Sequence, residues 1–422
     1  MYYETTKELL AFIKKSPTAF HAVEEMQARL TEDGFQVLSE KEHWKLTPGG
    51  KYVVTRNHSA LIAFTIPEKE SWKFHIIASH SDSPSFKIKE NPEIVVEKTY
   101  VKLNVEKYGG MLMAPWFDRP LSIAGRVIVR KDGKLEEKLI DFDRNLVMIP
   151  NLAIHMNREA NSGVSYNPQK DMLPLFSMGG SDVSLQKLLS TQLDVEEKDI
   201  LSHDLFLYNR MEGSIWGAEN EFASSARLDD LQCAFASLKG FRGAQKQDCI
   251  AVHCVLDNEE VGSGTKQGAA STFLKDTLLR INSGLGRTYE EYLMTLADSF
   301  MISADNAHAL HPNYTDKADP VNHPLLNKGI VIKYNANQKY CTDAVSAAVF
   351  KDLCDRADVP WQTFVNRSDI PGGSTLGNIS NTQVPMNTVD IGLPQLSMHS
   401  PYETAGVRDT EYFVKAAKEF FA

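Results

Sequence analysis

Downstream of residue 223 the sequence repeats one pattern: a short run that is apolar almost throughout, then a longer segment with apolar positions at helical spacing. The runs are IAVHCVL (250–256), FMISA (300–304), IVIKY (330–334), WQTFV (361–365) and MNTVDIG (386–392). The helical segments are 225–240, 269–281, 288–296, 343–355 and a closing helix over 410–421. A strand with one face in water alternates apolar and polar residues, whereas a continuously apolar strand needs cover on both faces. Strands of that kind alternating with helices define an α/β fold, a mixed but mostly parallel sheet sandwiched by helices.

The N-terminal part fits the same layer. Leu9, Leu10, Phe12 and Ile13, then Val23, Met26 and Leu30, lie at helical spacing, and Ser16-Pro17-Thr18 divides them into two helices. Three strands follow: YVVT (52–55), ALIAFT (60–65) and KFHIIASH (73–80). Between about 90 and 220 the texture changes to β-rich stretches such as YVKLNV (100–105) and the pair GRVIVR and KLEEKLI, joined by the hairpin signal Lys131-Asp132-Gly133. The expected organisation is an α/β domain formed by 1–90 and 223–422, carrying 91–222 as an inserted β-rich domain.

Composition narrows the class of partner. At 42% hydrophobic the chain can fill a large core, and a formal charge of −10 argues against a nucleic-acid partner, which requires a basic field. No window approaches 18 uncharged apolar residues, so no membrane span is expected. Glu4, Lys7, Glu8, Lys14 and Lys15 interrupt what would have to be the apolar core of an export signal. Cys233, Cys249, Cys254, Cys341 and Cys354 form no CxxC pair and read as reduced thiols. The expected location is cytoplasmic.

Three of the apolar runs end in side chains that can ligate a metal: His80-Ser81-Asp82, Asp257-Asn258-Glu259-Glu260, and Asp305-Asn306-Ala307-His308. Open α/β sheets bind ligands at the carboxyl ends of their strands, so these clusters point to one crevice. Two further pieces are Asp229-Asp230, at a helix start, and His399, in the loop after Gly392. Each also has an ordinary reading. His80 and His399 serve as loop histidines, Asp229 as a helix cap, Glu259 and Glu260 as a solvated turn, and Asp305 as a turn former. The metal reading gains because Glu259 and Glu260 follow an apolar strand with no Lys or Arg close by, and uncompensated carboxylates at a buried sheet edge call for a cation.

The ordered set ASHSDSPSFKIK (78–89), APWFDRPLSIAGRV (114–127), IPNLAIHMNRE (149–159), ARLDDL (226–231), DNEEVGSG (257–264), SADNAHALHPNY (303–314), KGIVIKYNANQKY (328–340), DIPGGSTLG (369–377) and QLSMHSPYE (395–403) resembles the aspartyl aminopeptidases over nearly the whole chain. These are dinuclear zinc exopeptidases with a phosphorylase/hydrolase-like α/β core. The resemblance implies two Zn²⁺ per subunit, with His80 and Asp305 on one ion, Glu260 and His399 on the other, and Asp229 bridging. It implies Glu259 as the catalytic carboxylate and Asp82 as the group orienting His80. Substrate-binding roles fall to His308, Lys333 and Tyr340, and to His155, which in the family reaches a neighbouring subunit's active site. The LAIHM context of His155 reads as an apolar strand, where a core histidine is the plainer interpretation. Lys333 also reads as a strand lysine bent toward water, and Tyr340 as a core tyrosine. The implied activity is removal of N-terminal Asp or Glu from peptides, in homo-oligomers built to dodecamers through the insert. Asp230 departs from the Asn usual in the family and adds a negative charge beside the metal ligands.

The assignment is electrostatically coherent. Two divalent ions against Asp229, Glu260 and Asp305 leave about +1, which favours a bound hydroxide, and Glu259 is left to move protons as general base and then general acid. His and carboxylate ligands also suit Co²⁺ or Mn²⁺. Adjacent glutamates with divided roles require irregular backbone, because consecutive strand side chains point to opposite faces. The alternatives are an amidohydrolase or carboxypeptidase on the same core, and a non-catalytic cage or cargo protein that kept the fold.

Overall fold

The computed structural model describes residues 2–69, 71–179, 183–244 and 248–422. Its contacts divide the chain into two units, Met1–Asp82 with Gly213–Met398 and Glu403–Ala422, and Ser83–Glu212 with His399–Tyr402.

The first unit is built on a nine-stranded sheet in the order Gln36–Leu38, Lys51–Arg56, Ala60–Thr65, Ile250–Leu256, Phe74–His80, Phe300–Ala304, Asn387–Gly392, Ile330–Tyr334 and Trp361–Val365. The four strands Ile250–Leu256, Phe74–His80, Phe300–Ala304 and Asn387–Gly392 run parallel to one another in the middle. Pairings become antiparallel toward either side, at Ala60–Thr65 and at Ile330–Tyr334. All seven residues of Ile250–Leu256 and all six of Ala60–Thr65 are buried, as strands covered on both faces must be.

Side-chain alternation sorts those strands into two cores. Leu61, Ala63, Ile77, Val255, Ile302 and Val389 pack with Phe12, Met26, Phe235, Phe350 and Phe413, from the helices Tyr2–Lys14, Ala19–Glu32, Leu228–Gly243, Ala344–Arg356 and Asp409–Phe420. Ile62, Phe64, Ile76, Val252 and Met301 pack with Phe273, Leu278 and Tyr292, from Phe273–Gly284 and Tyr289–Ala297. Helices therefore lie on both faces, the α/β architecture the pattern of apolar runs implies. No helix among the described residues is long and apolar enough to cross a membrane. The unit also holds a small five-stranded sheet of Ser214–Trp216, Phe222–Ser225, Glu403–Gly406, Pro394–Leu396 and Ala307–His308.

The second unit is a six-stranded antiparallel sheet in the order Lys134–Asp141, Leu121–Lys131, Ile200–Asn209, Ser85–Val96, Tyr100–Tyr108 and Leu175–Met178. Its core holds Phe86, Leu103, Trp116, Ile123, Leu189 and Leu205. The Lys131-to-Lys134 hairpin closes through Asp132 (φ 50°) and Gly133 (φ 74°), the left-handed pair that a tight hairpin turn requires. The LAIHM run differs from its sequence reading. It forms no strand, and Leu152, Ile154, His155 and Met156 are exposed around a turn, so His155 is not a core histidine. Apolar residues alone do not make a strand where no neighbouring strand supplies hydrogen bonds.

Candidate active site

The parallel strands place their carboxyl ends side by side. His80 is the last residue of its strand, Asp305 follows Phe300–Ala304 by one residue, and Glu259 and Glu260 follow Ile250–Leu256 across a short turn. His80, Asp229, Asp230 and Asp305 each offer a ligand atom within 4.8 Å of the others, and His80, Glu259 and Glu260 form an overlapping group.

The imidazole of His80 is fixed from two sides. Nδ1 lies 3.3 Å from Asp82 Oδ1 and 3.1 Å from the Asp82 carbonyl, while Nε2 faces Asp229 Oδ1 at 3.5 Å and Asp305 Oδ1 at 3.8 Å. This leaves Nε2 as the nitrogen able to ligate, with Nδ1 held by a carboxylate, the arrangement usual around metal-binding histidines. Asp82 does more than orient that ring. Its Oδ1 accepts from the backbone N–H of Glu259 (3.1 Å) and its Oδ2 from that of Glu260 (3.2 Å), so one carboxylate ties the end of one strand to the turn that follows the next. Glu259–Val261 is a single 3-10 turn between Asn258 and Gly262, both in the left-handed region, which is the irregular backbone that divided glutamate roles demand.

Asp229 is not a helix cap. It sits within Leu228–Gly243 at non-helical φ −81° and ψ 109°, and its backbone N–H donates to Glu403 Oε2 at 3.0 Å. Asp230 is fully buried and its Oδ2 accepts from the His80 N–H at 3.0 Å. The sequence pattern pointed to neither contact. Glu403 opens a four-residue strand outside any cluster of ligating residues, and Asp230 is legible only as a departure from a family pattern.

Crowding of buried carboxyls dominates the electrostatics. Burial, then the charge of Asp305, pushes the Glu259 carboxyl up to about 8, with Asp82 and Asp229 adding to the effect and His80 opposing it. Burial followed by Asp229 raises Glu260 well above the usual carboxylate range. Burial works to lower the His80 imidazole, but Asp229, Asp230, Asp305 and Asp82 outweigh it and hold it well above its ordinary value. A set of imidazole and carboxylate donors with too few cations to neutralise it is chemically suited to a borderline divalent ion such as Zn²⁺.

Lys333 brings one cation. It is only 3% exposed, so it does not bend toward water, and its Nζ lies 3.9 Å from Asp305 Oδ2 and 5.5 Å from the centre of the Tyr340 ring. Burial would lower its pKa, yet Asp305 first and then Tyr340 and Asp390 hold it above the ordinary value. Gly392 packs against this pair, since a Cβ there would collide with the Asp305 carbonyl. Tyr340 is buried, with its ring centre 6.4 Å from that of Phe364, and the ring of the exposed His308 lies 6.2 Å from Phe364. Phe364, which carries no polar chemistry, gave no sign of this placement in the sequence. His399 belongs with the second unit, where its Nδ1–H donates to the Gly110 carbonyl at 2.5 Å, a contact that selects the tautomer with Nε2 as the lone-pair nitrogen. His155 is exposed in the same unit.

A buried imidazole among carboxylates at the carboxyl edge of a parallel sheet defines a metal-dependent hydrolase of the α/β class. Residues 12–421 match the model of the Aminopeptidase I zinc metalloprotease family, M18. A probable M18 family aminopeptidase 2 of Clostridium novyi (strain NT) is 48% identical over 422 residues, 98% of each chain. Among solved structures, a chain of the Ape4 and Nbr1 complex superposes with a TM-score of 0.96 at 38% identity, covering 100% of this chain and 86% of that one. The S. cerevisiae mApe1 dodecamer gives 0.86 at 27% identity, covering 99% and 96%. The chain belongs to the M18 family of zinc metallo-aminopeptidases.

Proposed function

We propose that this M18 enzyme removes acidic residues, Asp or Glu, from the N-terminus of peptides, using two zinc ions. His80 and Asp305 would hold one ion, Glu260 and His399 the other, and Asp229 would bridge them. A metal held there supplies Lewis acidity toward water and toward the scissile carbonyl. Glu259 takes a proton from the attacking water and returns it to the leaving amine, while Asp82 keeps His80 and both glutamate backbones in place. His308, Tyr340 and Lys333 line the substrate side.

The observation that carries the acidic preference is Lys333, a buried ammonium 3.9 Å from Asp305 in a site otherwise lined by carboxylates. With both ions bound the charges of Asp229, Glu260 and Asp305 would be spent on the metals, so a side-chain carboxylate held away from the ions would gain selectivity only where a dedicated cation meets it. The reading includes 91–222 as the insert that mediates homo-oligomerisation, with His155 completing a neighbour's pocket. It also includes a cytoplasmic setting, in keeping with five free cysteines. The test is a panel of Asp, Glu, Leu and Lys p-nitroanilides assayed with zinc-, cobalt- or manganese-reconstituted protein. Preference for Asp and Glu is expected, and preference for Leu or Lys would discard acidic specificity.

A further inference from the structure

Asp390 lies on the central strand Asn387–Gly392, paired with Ser303 of the neighbouring strand, and is 1% exposed. No metal-ligating role falls to it, yet its carboxylate accepts three hydrogen bonds. Oδ2 accepts from the Cys341 backbone N–H (2.6 Å) and from the Cys341 Sγ–H (2.9 Å), and Oδ1 accepts from the Thr375 hydroxyl (2.7 Å). The Asp390 N–H donates to Thr342 Oγ1 at 2.9 Å. Gly377 closes the arrangement, because a Cβ there would stand 2.7 Å from Asp390 Oδ1 and 2.8 Å from Cys341 Sγ.

The segments joined in this way matter because of what they carry. Tyr340 precedes Cys341 directly, and its ring lies 5.5 Å from Lys333 Nζ and 6.4 Å from the Phe364 ring. Two segments far apart in sequence, 340–342 and the start of the short helix Leu376–Ser380 with its cap Thr375, are thus pinned to the strand next to the one bearing Lys333. Three hydrogen bonds to one buried carboxylate are charge-assisted and costly to break singly, since each leaves a buried donor unmade.

We propose that Asp390 is a positioning residue for substrate recognition. By fixing the Tyr340–Thr342 turn and Thr375 to the sheet, it sets the spacing between Tyr340 and Lys333 and so the fit of the N-terminal side chain. This rests on reading Lys333 and Tyr340 as the substrate-side wall.

The experiment compares wild type with Asp390→Asn, Thr375→Val, Cys341→Ser and Lys333→Met, all as full-length zinc-loaded protein, on aspartyl and alanyl p-nitroanilides. Asp390→Asn puts an amide N–H₂ against donors. It should raise KM for the aspartyl substrate at least about tenfold, with kcat, zinc content and alanyl kcat/KM within about threefold of wild type, the pattern of lost ground-state binding rather than lost chemistry. Thr375→Val removes one donor and keeps the carboxylate. It should move KM in the same direction by a few-fold, and it carries the test if Asp390→Asn does not fold. Cys341→Ser keeps a donor and should retain the wild-type KM. An unchanged aspartyl KM, or equal losses on both substrates with loss of zinc, overturns the proposal. If Lys333→Met is selective while Asp390→Asn and Thr375→Val are not, only the role of Asp390 falls. If Lys333→Met is itself unselective, the wall has been misread and the proposal falls with it.

Discussion

His80 Nδ1 lies 3.3 Å from Asp82 Oδ1, and the same carboxylate receives the backbone N–H groups of both Glu259 and Glu260. One buried side chain therefore holds the His80 imidazole and the Glu259–Glu260 turn together, the proposed ligand and the proposed proton carrier. Asp82→Asn should cost both functions, because an amide presents a donor where two N–H groups already point. Zinc affinity should fall about 10- to 100-fold, the usual scale for losing the partner of a ligating histidine. Titration against a chromogenic chelator measures it, and unchanged affinity would mean that His80 is held by other contacts.

Glu259 and Glu260 are adjacent and differ in expected task. Glu259→Gln should keep the zinc content of wild type and lose at least about 10²-fold in kcat, the scale of an absent general base. Glu260→Gln should instead lose metal, read by elemental analysis. Chelation should silence the wild-type enzyme, and zinc should restore it. Near-normal turnover in Glu259→Gln would remove that residue from the mechanism.

A pH dependence of stability arises away from the site. His253 lies within the Ile250–Leu256 strand, fully buried, with Nδ1 2.9 Å from Ser237 Oγ and its ring 5.9 Å from Phe241, and Nε2 meets no hydrogen-bond partner among the described residues. Burial pushes its pKa down to about 3. Between the unfolded value near 6.5 and that folded value the unfolded chain binds the extra proton. The contribution of neutral His253 is thus complete above pH 6.5 and is lost as pH falls, by more than about 1 kcal/mol per unit. His253→Gln should be somewhat less stable at pH 7.5 and show a shallower decline toward pH 4.5 in denaturant titrations at saturating zinc. Parallel curves for the two proteins would show that His253 does not set the acid limb.

Ile250–Leu256, Phe300–Ala304 and Ile330–Tyr334 begin and end where the apolar runs do, because cover on both faces leaves a signal that polar flanks cut sharply, while Trp361–Val365 matches its run as an edge strand with only Phe364 buried. The helices Tyr2–Lys14, Ala19–Glu32, Leu228–Gly243, Phe273–Gly284, Tyr289–Ala297, Ala344–Arg356 and Asp409–Phe420 were legible for a similar reason, as their core-facing residues recur at helical spacing, whereas Leu185–Leu193 and the short helix Leu376–Ser380 were not. The small five-stranded sheet was not. Its strands are two to four residues long, too short to show a period, and Phe222–Ser225 finds its partner at Glu403–Gly406. His80, Glu259, Glu260 and Asp305 stood out as ligating side chains at the ends of apolar runs. Glu403 and Asp390 did not, since each is a lone carboxylate whose importance lies in backbone groups it meets from distant segments.

Lys333 offers the sharpest test of specificity. A lysine buried beside Asp305 and Tyr340 is costly to desolvate, yet Asp305 at 3.9 Å, with Tyr340 and Asp390, outweighs that cost and keeps the ammonium charged. On the proposed reading a substrate carboxylate would pair with that ammonium, whereas a Leu side chain would gain nothing from it. Lys333→Met keeps length and volume while removing the charge. It should lower kcat/KM for Asp and Glu substrates at least about 10²-fold more than for Leu, corresponding to the few kcal/mol that separate a matched from an unmatched charge in a closed pocket. Equal losses on all substrates would make Lys333 a partner of Asp305 or of the peptide backbone. Retained discrimination for Asp over Leu would place the selecting cation elsewhere, and the exposed His308, beside Phe364, would be the next residue to substitute.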